Sequence, residues 1–233
     1  MGVASDPTSL RRVGDANVVF TTRADGDLGH GGGYVHAVRS DVEARRRAVV
    51  DLPWTWLRQV HGDRVVEVGE PGGACGERAD AAITDRAGCA LAILTADCAP
   101  VALVAPEGVI AAVHAGWRGL AGGVLERTVE AMRARGATDV RAQLGPCIHA
   151  ECYEFGATDL DRVAQRLGDG VRATTRRGAP ALDVPAGVRA ALGRVGVDEL
   201  DDVGVCTACS PAHFSHRARR ELARQALVVW RAR

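Results

Sequence analysis

Cys98 and His114 lie within a segment, residues 90–119, that is otherwise almost entirely apolar. A thiolate is a nucleophile and a soft metal ligand, and an imidazole can act as base or ligand. Two apolar runs, 101–105 and 109–114, flank Pro106-Glu107-Gly108, the pattern of a hairpin. If Ala105 pairs with Val109, His114 falls opposite Pro100 and Cys98 lies two residues beyond that partner. Facing residues in a sheet are about 5 Å apart and diagonal ones roughly 7–8 Å, so thiol and imidazole come together. Asp97 is the sole acid between Asp85 and Glu107. These residues leave three readings open: a buried cysteine with a satisfied core histidine, a Cys98 nucleophile activated by His114, or a pair of metal ligands. The last needs a third ligand and an open position. His61, in a tight connection flanked by strands, is the best third residue by type and setting.

The elements that must position this group follow from periodicity and turn residues. Strands are expected at 18–22, 54–60, 64–68, 80–84, 89–95, 140–144, 202–206 and 226–230, besides the two runs of the hairpin. Helices are expected at 40–50, with Ser40 as N-cap and Glu43 in capping-box spacing, and at 120–135, 158–167 and 186–195. Residues 1–16 read as a flexible leader and 17–233 as a single domain. The glycine-rich DGDLGHGGG loop lacks the strand and helix context of a dinucleotide fingerprint; His30 and His36 beside it read as surface residues. Cys147 and Cys152 flank His149, but no second matching pair lies nearby in sequence. The Cys206-Thr207-Ala208-Cys209 motif lacks the context of a thioredoxin-like site.

Arginines and acids balance at 29 each and lysine is absent. The balance gives no electrostatic case for nucleic acid or an anionic membrane, and the missing lysine excludes a Schiff base and a P-loop lysine. Any bound anion must be held by arginine. The N-terminal residues lack the apolar core of a secretory signal, so none is expected, and no run of about 18 apolar residues suggests a membrane span. The seven cysteines therefore read as thiols or metal ligands, and a cytoplasmic location is expected.

The series Phe20-Thr21-Thr22-Arg23, Gln59-Val60-His61-Gly62, Asp80-Ala81, Thr95-Ala96-Asp97-Cys98, His114-Ala115-Gly116-Trp117-Arg118-Gly119, Gly145-Pro146-Cys147-Ile148, Cys152-Tyr153-Glu154 and Phe214-Ser215-His216-Arg217 runs through the chain in that order. Together these motifs resemble the YfiH-type family, also called the laccase-domain or polyphenol oxidase family, which includes purine nucleoside phosphorylases. The resemblance implies an α/β fold of the α+β kind, a layered α/β/β/α sandwich with mixed sheets. It implies metal ligation by His61, Cys98 and His114. It also implies zinc-dependent phosphorolysis of adenosine, inosine, guanosine or methylthioadenosine, and deamination of adenosine. Older naming gives the family copper-dependent phenol oxidation, and some members are described as editing peptidoglycan precursors. The chain departs from the family at three places: Asp27 replaces an Asn, His149-Ala150-Glu151 replaces a Pro-Cys continuation, and Ala223-Arg224-Gln225 lacks a glycine. These departures bear on substrate contacts more than on the metal.

On this reading Zn2+ is the expected cofactor, with Cu2+ as the alternative, and the partners are a small-molecule nucleoside and phosphate. Asp97, Cys98 and Arg118 are the candidate catalytic residues, with Asp97 orienting water or acting as base. Arg118 is the leading phosphate ligand, ahead of Arg23 and Arg217, and Gln59 joins Arg23 and Arg217 as a substrate contact. The rivals are a copper polyphenol oxidase, a metal-free Cys–His hydrolase and a non-enzymatic binding protein. Seven histidines and two methionines are poor provision for a multicopper oxidase.

Overall fold

A computed structural model of the chain describes residues 11–29 and 36–232. In chain order its strands are β1 (Arg11–Val13), β2 (Ala16–Phe20), β3 (Trp54–Trp56), β4 (Val65–Glu67), β5 (Ala81–Thr84), β6 (Ala90–Thr95), β7 (Ala99–Val104), β8 (Ile110–Ala115), β9 (Arg141–Leu144), β10 (Arg172–Thr174), β11 (Pro180–Leu182), β12 (Leu200–Asp202) and β13 (Gln225–Arg231). The helices are α1 (His36–Val49), α2 (Trp117–Gly122), α3 (Val124–Ala134), α4 (Ala157–Leu167), α5 (Val184–Gly193) and α6 (His216–Arg219). A five-stranded sheet has the order β1-β2-β13-β6-β3 and a six-stranded one β12-β9-β7-β8-β5-β4, with β10 and β11 as a separate hairpin. Both large sheets are mixed: β3 runs parallel to β6, β4 to β5 and β12 to β9, and the other pairs are antiparallel.

The two-residue period of each strand sorts its side chains into layers. On β7 and β8, Val101, Leu103, Ala111 and Val113 pack in one core with α2–α5. Their alternates Ala102, Val104, Ile110 and Ala112 pack in a second core with Phe20, Leu91, Ile93 and Leu227 of the five-stranded sheet. A third core joins Ala90, Ala92 and Val228 to Leu28 and Val49. The layers are thus helices, sheet, sheet and α1, the sandwich that the motifs implied.

The β7–β8 hairpin has the expected register, with Pro100 opposite His114. Ala105 N–H donates to Val109 O at 2.9 Å, and Gly108 adopts φ +89°, a turn conformation suited to glycine. Five elements differ from expectation. Arg11–Val13 is an edge strand rather than leader, because it pairs with β2 across a turn at Gly14, φ +60°. Helix α1 begins at His36, which places Ser40 inside it rather than at its cap. The expected 120–135 helix is two helices, broken at Gly123 with φ +89°. The strand expected at 202–206 is Leu200–Asp202, paired with β9, and β3 ends at Trp56. His30 and the glycines that follow it lie outside the described residues. Among the described residues, no helix is long and apolar enough to cross a membrane.

Candidate metal centre and its cavity

Two connections switch between the large sheets. Residues 57–64 lead from β3 to β4 and residues 96–98 from β6 to β7. The first carries His61 and the second Cys98, and His114 at the end of β8 lies beside them. The ligating atoms of His61, Cys98 and His114 all fall within 4.8 Å of one another. Cys98 Sγ is 3.8 Å from His61 Nε2, and the two imidazoles meet edge to face at 4.8 Å between centroids.

A buried carboxylate organises this group. Asp80, fully buried, accepts Nδ1 of His114 at 2.8 Å, the N–H of His61 at 2.8 Å and that of Gly62 at 2.7 Å. The N–H of Val60 also reaches it, at 3.1 Å. Burial alone would raise this carboxyl, but the bonds from His114, Gly62 and Val60 outweigh it and hold it below its ordinary range. His61 adopts φ +60°, a left-handed conformation costing about 1–2 kcal/mol for a residue with a Cβ. The three N–H bonds around it to Asp80 offset that strain. With Nδ1 occupied by Asp80, His114 turns Nε2 toward Cys98 and His61, the second-shell arrangement of metal-binding histidines.

The thiol and imidazole polarise each other. Burial alone would raise Cys98, yet the His114 and His61 imidazoles outweigh it and hold the thiol down at about 6. Burial alone would lower His114, yet Cys98 and Asp80 push it up to about 9. A cysteine held as thiolate is both ligand and nucleophile. The donor set fits a metal: two nitrogens and a soft sulfur in one cluster, with room left for a further ligand. That room depends on Gly116, where a Cβ would lie 2.9 Å from His61 Cδ2 and 3.3 Å from Cys98 Sγ.

The cluster forms part of a cavity of about 600 Å³, also lined by Gln59, Leu57, Leu94, Thr95, Asp97, Tyr153, His216, Arg217, Leu222 and Arg224. The Thr95 hydroxyl is buried and has no hydrogen-bond partner among the described residues. Arg217 stacks on the Tyr153 ring at 4.7 Å and donates one N–H to Glu154 O. Burial, with the charge of Cys98 adding to it, pushes the Tyr153 phenol up to about 12 despite Arg217, so it stays a hydroxyl donor.

The remaining expected site residues are placed differently. Asp97, at φ +105°, accepts the hydroxyls of Thr207 and Ser215 at Oδ1, both at 2.7 Å, and the N–H of Arg217 at Oδ2 at 2.6 Å. It fastens the 207–217 segment to the β6–β7 connection. Gln59 exchanges both amide bonds with the backbone of Leu94. Arg118 is exposed, stacked 4.4 Å over Trp117, and is not among the cavity-lining residues. Arg23 packs on Phe214 and bonds Glu221 and the carbonyls of Pro211 and His213. Sequence reasoning assigned no role to Asp80, Tyr153, His216 or Arg224. Asp80 had a visible signal, an acid opening an apolar strand. Two of the segments that depart from the family pattern meet each other, since Asp27 Oδ1 accepts the Arg224 N–H at 2.9 Å.

Comparison with known proteins agrees with this architecture. The family described as multi-copper polyphenol oxidoreductase laccase matches residues 20–232. A purine nucleoside phosphorylase of Mycobacterium bovis is 38% identical over 227 residues, 91% of this chain and 90% of the relative. A Neisseria meningitidis protein of the DUF152 family superposes with a TM-score of 0.84 at 31% identity, covering 99% of this chain and 98% of its own. YfiH of Bacillus licheniformis superposes at 0.83 with 25% identity, over 94% and 93%.

Proposed function

The chain belongs to the multi-copper polyphenol oxidoreductase laccase family, the YfiH group, and on that premise we propose that it cleaves purine nucleosides with phosphate. The observation that carries this reading is the His61–Cys98–His114 cluster opening into a cavity that also presents an arginine and an aromatic ring. At about 600 Å³ the cavity is in the range of small-molecule sites. The relative from Mycobacterium bovis is named a purine nucleoside phosphorylase.

His61, Cys98 and His114 would hold a zinc ion, with Asp80 fixing the tautomer of His114. Such an ion supplies Lewis-acid charge stabilisation at its open position. The chain's own groups do the rest. Phosphorolysis forms a bond between a phosphate oxygen and the ribose C1′ as the bond to the base breaks, and the base leaves with that electron pair. Arg217 is the cavity's cation best placed to bind the phosphate, since it lines the cavity beside the cluster, stacked on Tyr153 and steadied by one N–H to Glu154 O, and a guanidinium suits planar recognition of phosphate oxygens. This transfers to Arg217 the role first given to Arg118. The Tyr153 hydroxyl and the unpartnered Thr95 hydroxyl offer hydrogen bonds to the nucleoside. Asp97 acts by holding the backbone of Arg217 rather than as a base, because its carboxylate is committed to three donors. Gln59 supports the cavity wall through Leu94.

The test is to supply inosine or adenosine to zinc-loaded protein with and without phosphate. Phosphate-dependent release of free base and ribose 1-phosphate, lost in Cys98→Ser and His61→Ala, is expected. Absence of any phosphate-dependent product overturns the reading. Inosine formed from adenosine without phosphate identifies a deaminase instead. The family description favours a second reading, copper-dependent phenol oxidation, since a His2Cys set also suits copper. Its mark is visible absorption and phenol turnover by copper-loaded protein. Activity that survives chelation would indicate a metal-free Cys–His enzyme.

A further inference from the structure

A second cluster of metal-ligating groups lies apart from the first. Cys206 and Cys209, the CxxC motif, come to Cys152 and Glu151, and the four ligand atoms all fall within 4.8 Å of one another. Cys152 Sγ is 3.3 Å from Cys209 Sγ, and Glu151 Oε1 is 3.7 Å from Cys209 Sγ. We propose that Cys152, Cys206 and Cys209, with Glu151 as fourth ligand, form a structural zinc site that clamps the 149–153 turn to the 206–210 loop.

Three features argue for a built site rather than a chance meeting of thiols. The spacing is right: with Zn–S bonds of about 2.3 Å, tetrahedral ligands lie about 3.8 Å apart, within the range seen here. Donors converge on the sulfurs: backbone N–H groups of His149, Cys209 and Ala208 are directed at Cys206 Sγ, the first at 3.4 Å, and partly offset the burial that raises this thiol when no ion is bound. Arg176 donates to Cys209 Sγ at 3.3 Å, offsetting the excess negative charge of three thiolates and a carboxylate. The loop is also held from behind. Thr207 N–H bonds Cys147 O at 2.9 Å, and Arg219 bonds the carbonyls of Thr207 and Ala208. Soft sulfur donors select zinc over the hard divalent cations. Such a clamp would stiffen the cavity wall, because Tyr153 follows Cys152 and the 206–210 loop continues into the segment that Asp97 holds.

The first test needs no variant. Zinc-replete protein is treated with an alkylating reagent before and after a strong chelator, and modified cysteines are mapped by mass spectrometry. Cys209 is exposed, so a free thiol there would react at once. The proposal expects Cys152, Cys206 and Cys209 to be protected together and released together by the chelator. Prompt alkylation of Cys209 in zinc-replete protein, or a Cys152–Cys209 disulfide-linked peptide with no metal at the site, overturns it. The second test uses His61→Ala/Cys98→Ser, which disables the first centre. Elemental analysis should still find one zinc ion per chain, lost when Cys152→Ser/Cys209→Ser is added. A zinc-free His61→Ala/Cys98→Ser protein overturns the proposal.

Discussion

Replacing Asp80 by Asn is the sharpest probe of the first centre, because it keeps the shape and removes only charge and one acceptor. Asp80 Oδ1 serves His61 N–H and His114 Nδ1, and Oδ2 serves Gly62 N–H. An asparagine cannot satisfy both sets. If its amide nitrogen replaces Oδ2, it faces the Gly62 N–H, and two donors lose their partners. If the side chain is flipped, His61 N–H loses its acceptor and His114 must accept at Nδ1, which moves its proton to Nε2, the nitrogen needed for the metal. Each orphaned buried donor costs about 1–3 kcal/mol, so the metal-free protein should lose about 3 kcal/mol or more of stability. Losing a second-shell orienter typically weakens a metal 10–100-fold, and a loss of about that size is expected here. Urea unfolding of metal-free protein measures the first quantity and zinc competition against a chromogenic chelator the second. An Asp80→Asn protein with an unchanged unfolding midpoint and zinc affinity within about twofold of the parent would refute the assignment of Asp80 as organiser.

Gly116→Ala should leave the fold intact but push His61 aside, since its Cβ would lie 2.9 Å from an exposed ring; a fall of about tenfold in zinc affinity, read by the same chelator competition, is expected. His61→Gly should abolish binding at this centre while leaving metal-free stability within about 1 kcal/mol of the parent, because relief of the left-handed strain is balanced by glycine's added unfolded-state entropy. A clear destabilisation in urea would show that the imidazole also packs. Glu221 gives a pH prediction. Burial would raise it, but bonds from the Ser215 N–H, Arg23 and Arg219 hold it down at about 2, against an ordinary 4.5. Its contribution is therefore complete above pH 4.5 and is lost as pH falls from 4.5 toward 2. After discounting for partial exposure it should amount to about 2 kcal/mol. Glu221→Gln should lower stability at pH 7 and flatten the acid limb of an unfolding-versus-pH curve; an unchanged curve would contradict this.

What the chain disclosed in advance follows the range of the interactions. The β7–β8 register was readable because a Pro-Glu-Gly turn fixes pairing locally and period-two burial sets the faces. The layered sandwich was readable through motifs distributed along the chain, rather than through propensity. The boundaries that failed did so for local reasons: Gly123 breaks a pattern that stays apolar across it, and Arg11–Val13 is a strand only because β2 offers it an edge. Arg118 and Arg23 were chosen for proximity to motif residues in sequence, but Arg118 is exposed and stacks on Trp117, and Arg23 is captured by Glu221. The thiols that meet Cys152, those of Cys206 and Cys209, begin 54 residues further along the chain, and no local spacing could announce them.

The strained backbone at the centre shows why the site is built where it is. Two residues with a side chain, His61 and Asp97, hold positive φ here, each in a connection that switches sheets. Such conformations persist only where neighbours over-determine them. At His61 the neighbour is the Asp80 carboxylate, taking the N–H groups of three consecutive residues. At Asp97 it is the residue's own carboxylate, taking Thr207, Ser215 and Arg217. One buried acid thus aims His61, and the other holds the backbone of Arg217. The two meet at Cys98, the residue after Asp97 and the partner of His61 and His114. Zinc affinity and phosphate affinity should therefore separate by mutation. Asp80→Asn should strike the metal first, while Asp97→Asn should raise the KM for phosphate with zinc still bound. Equal loss of zinc in both variants would show that the two halves are not independently held.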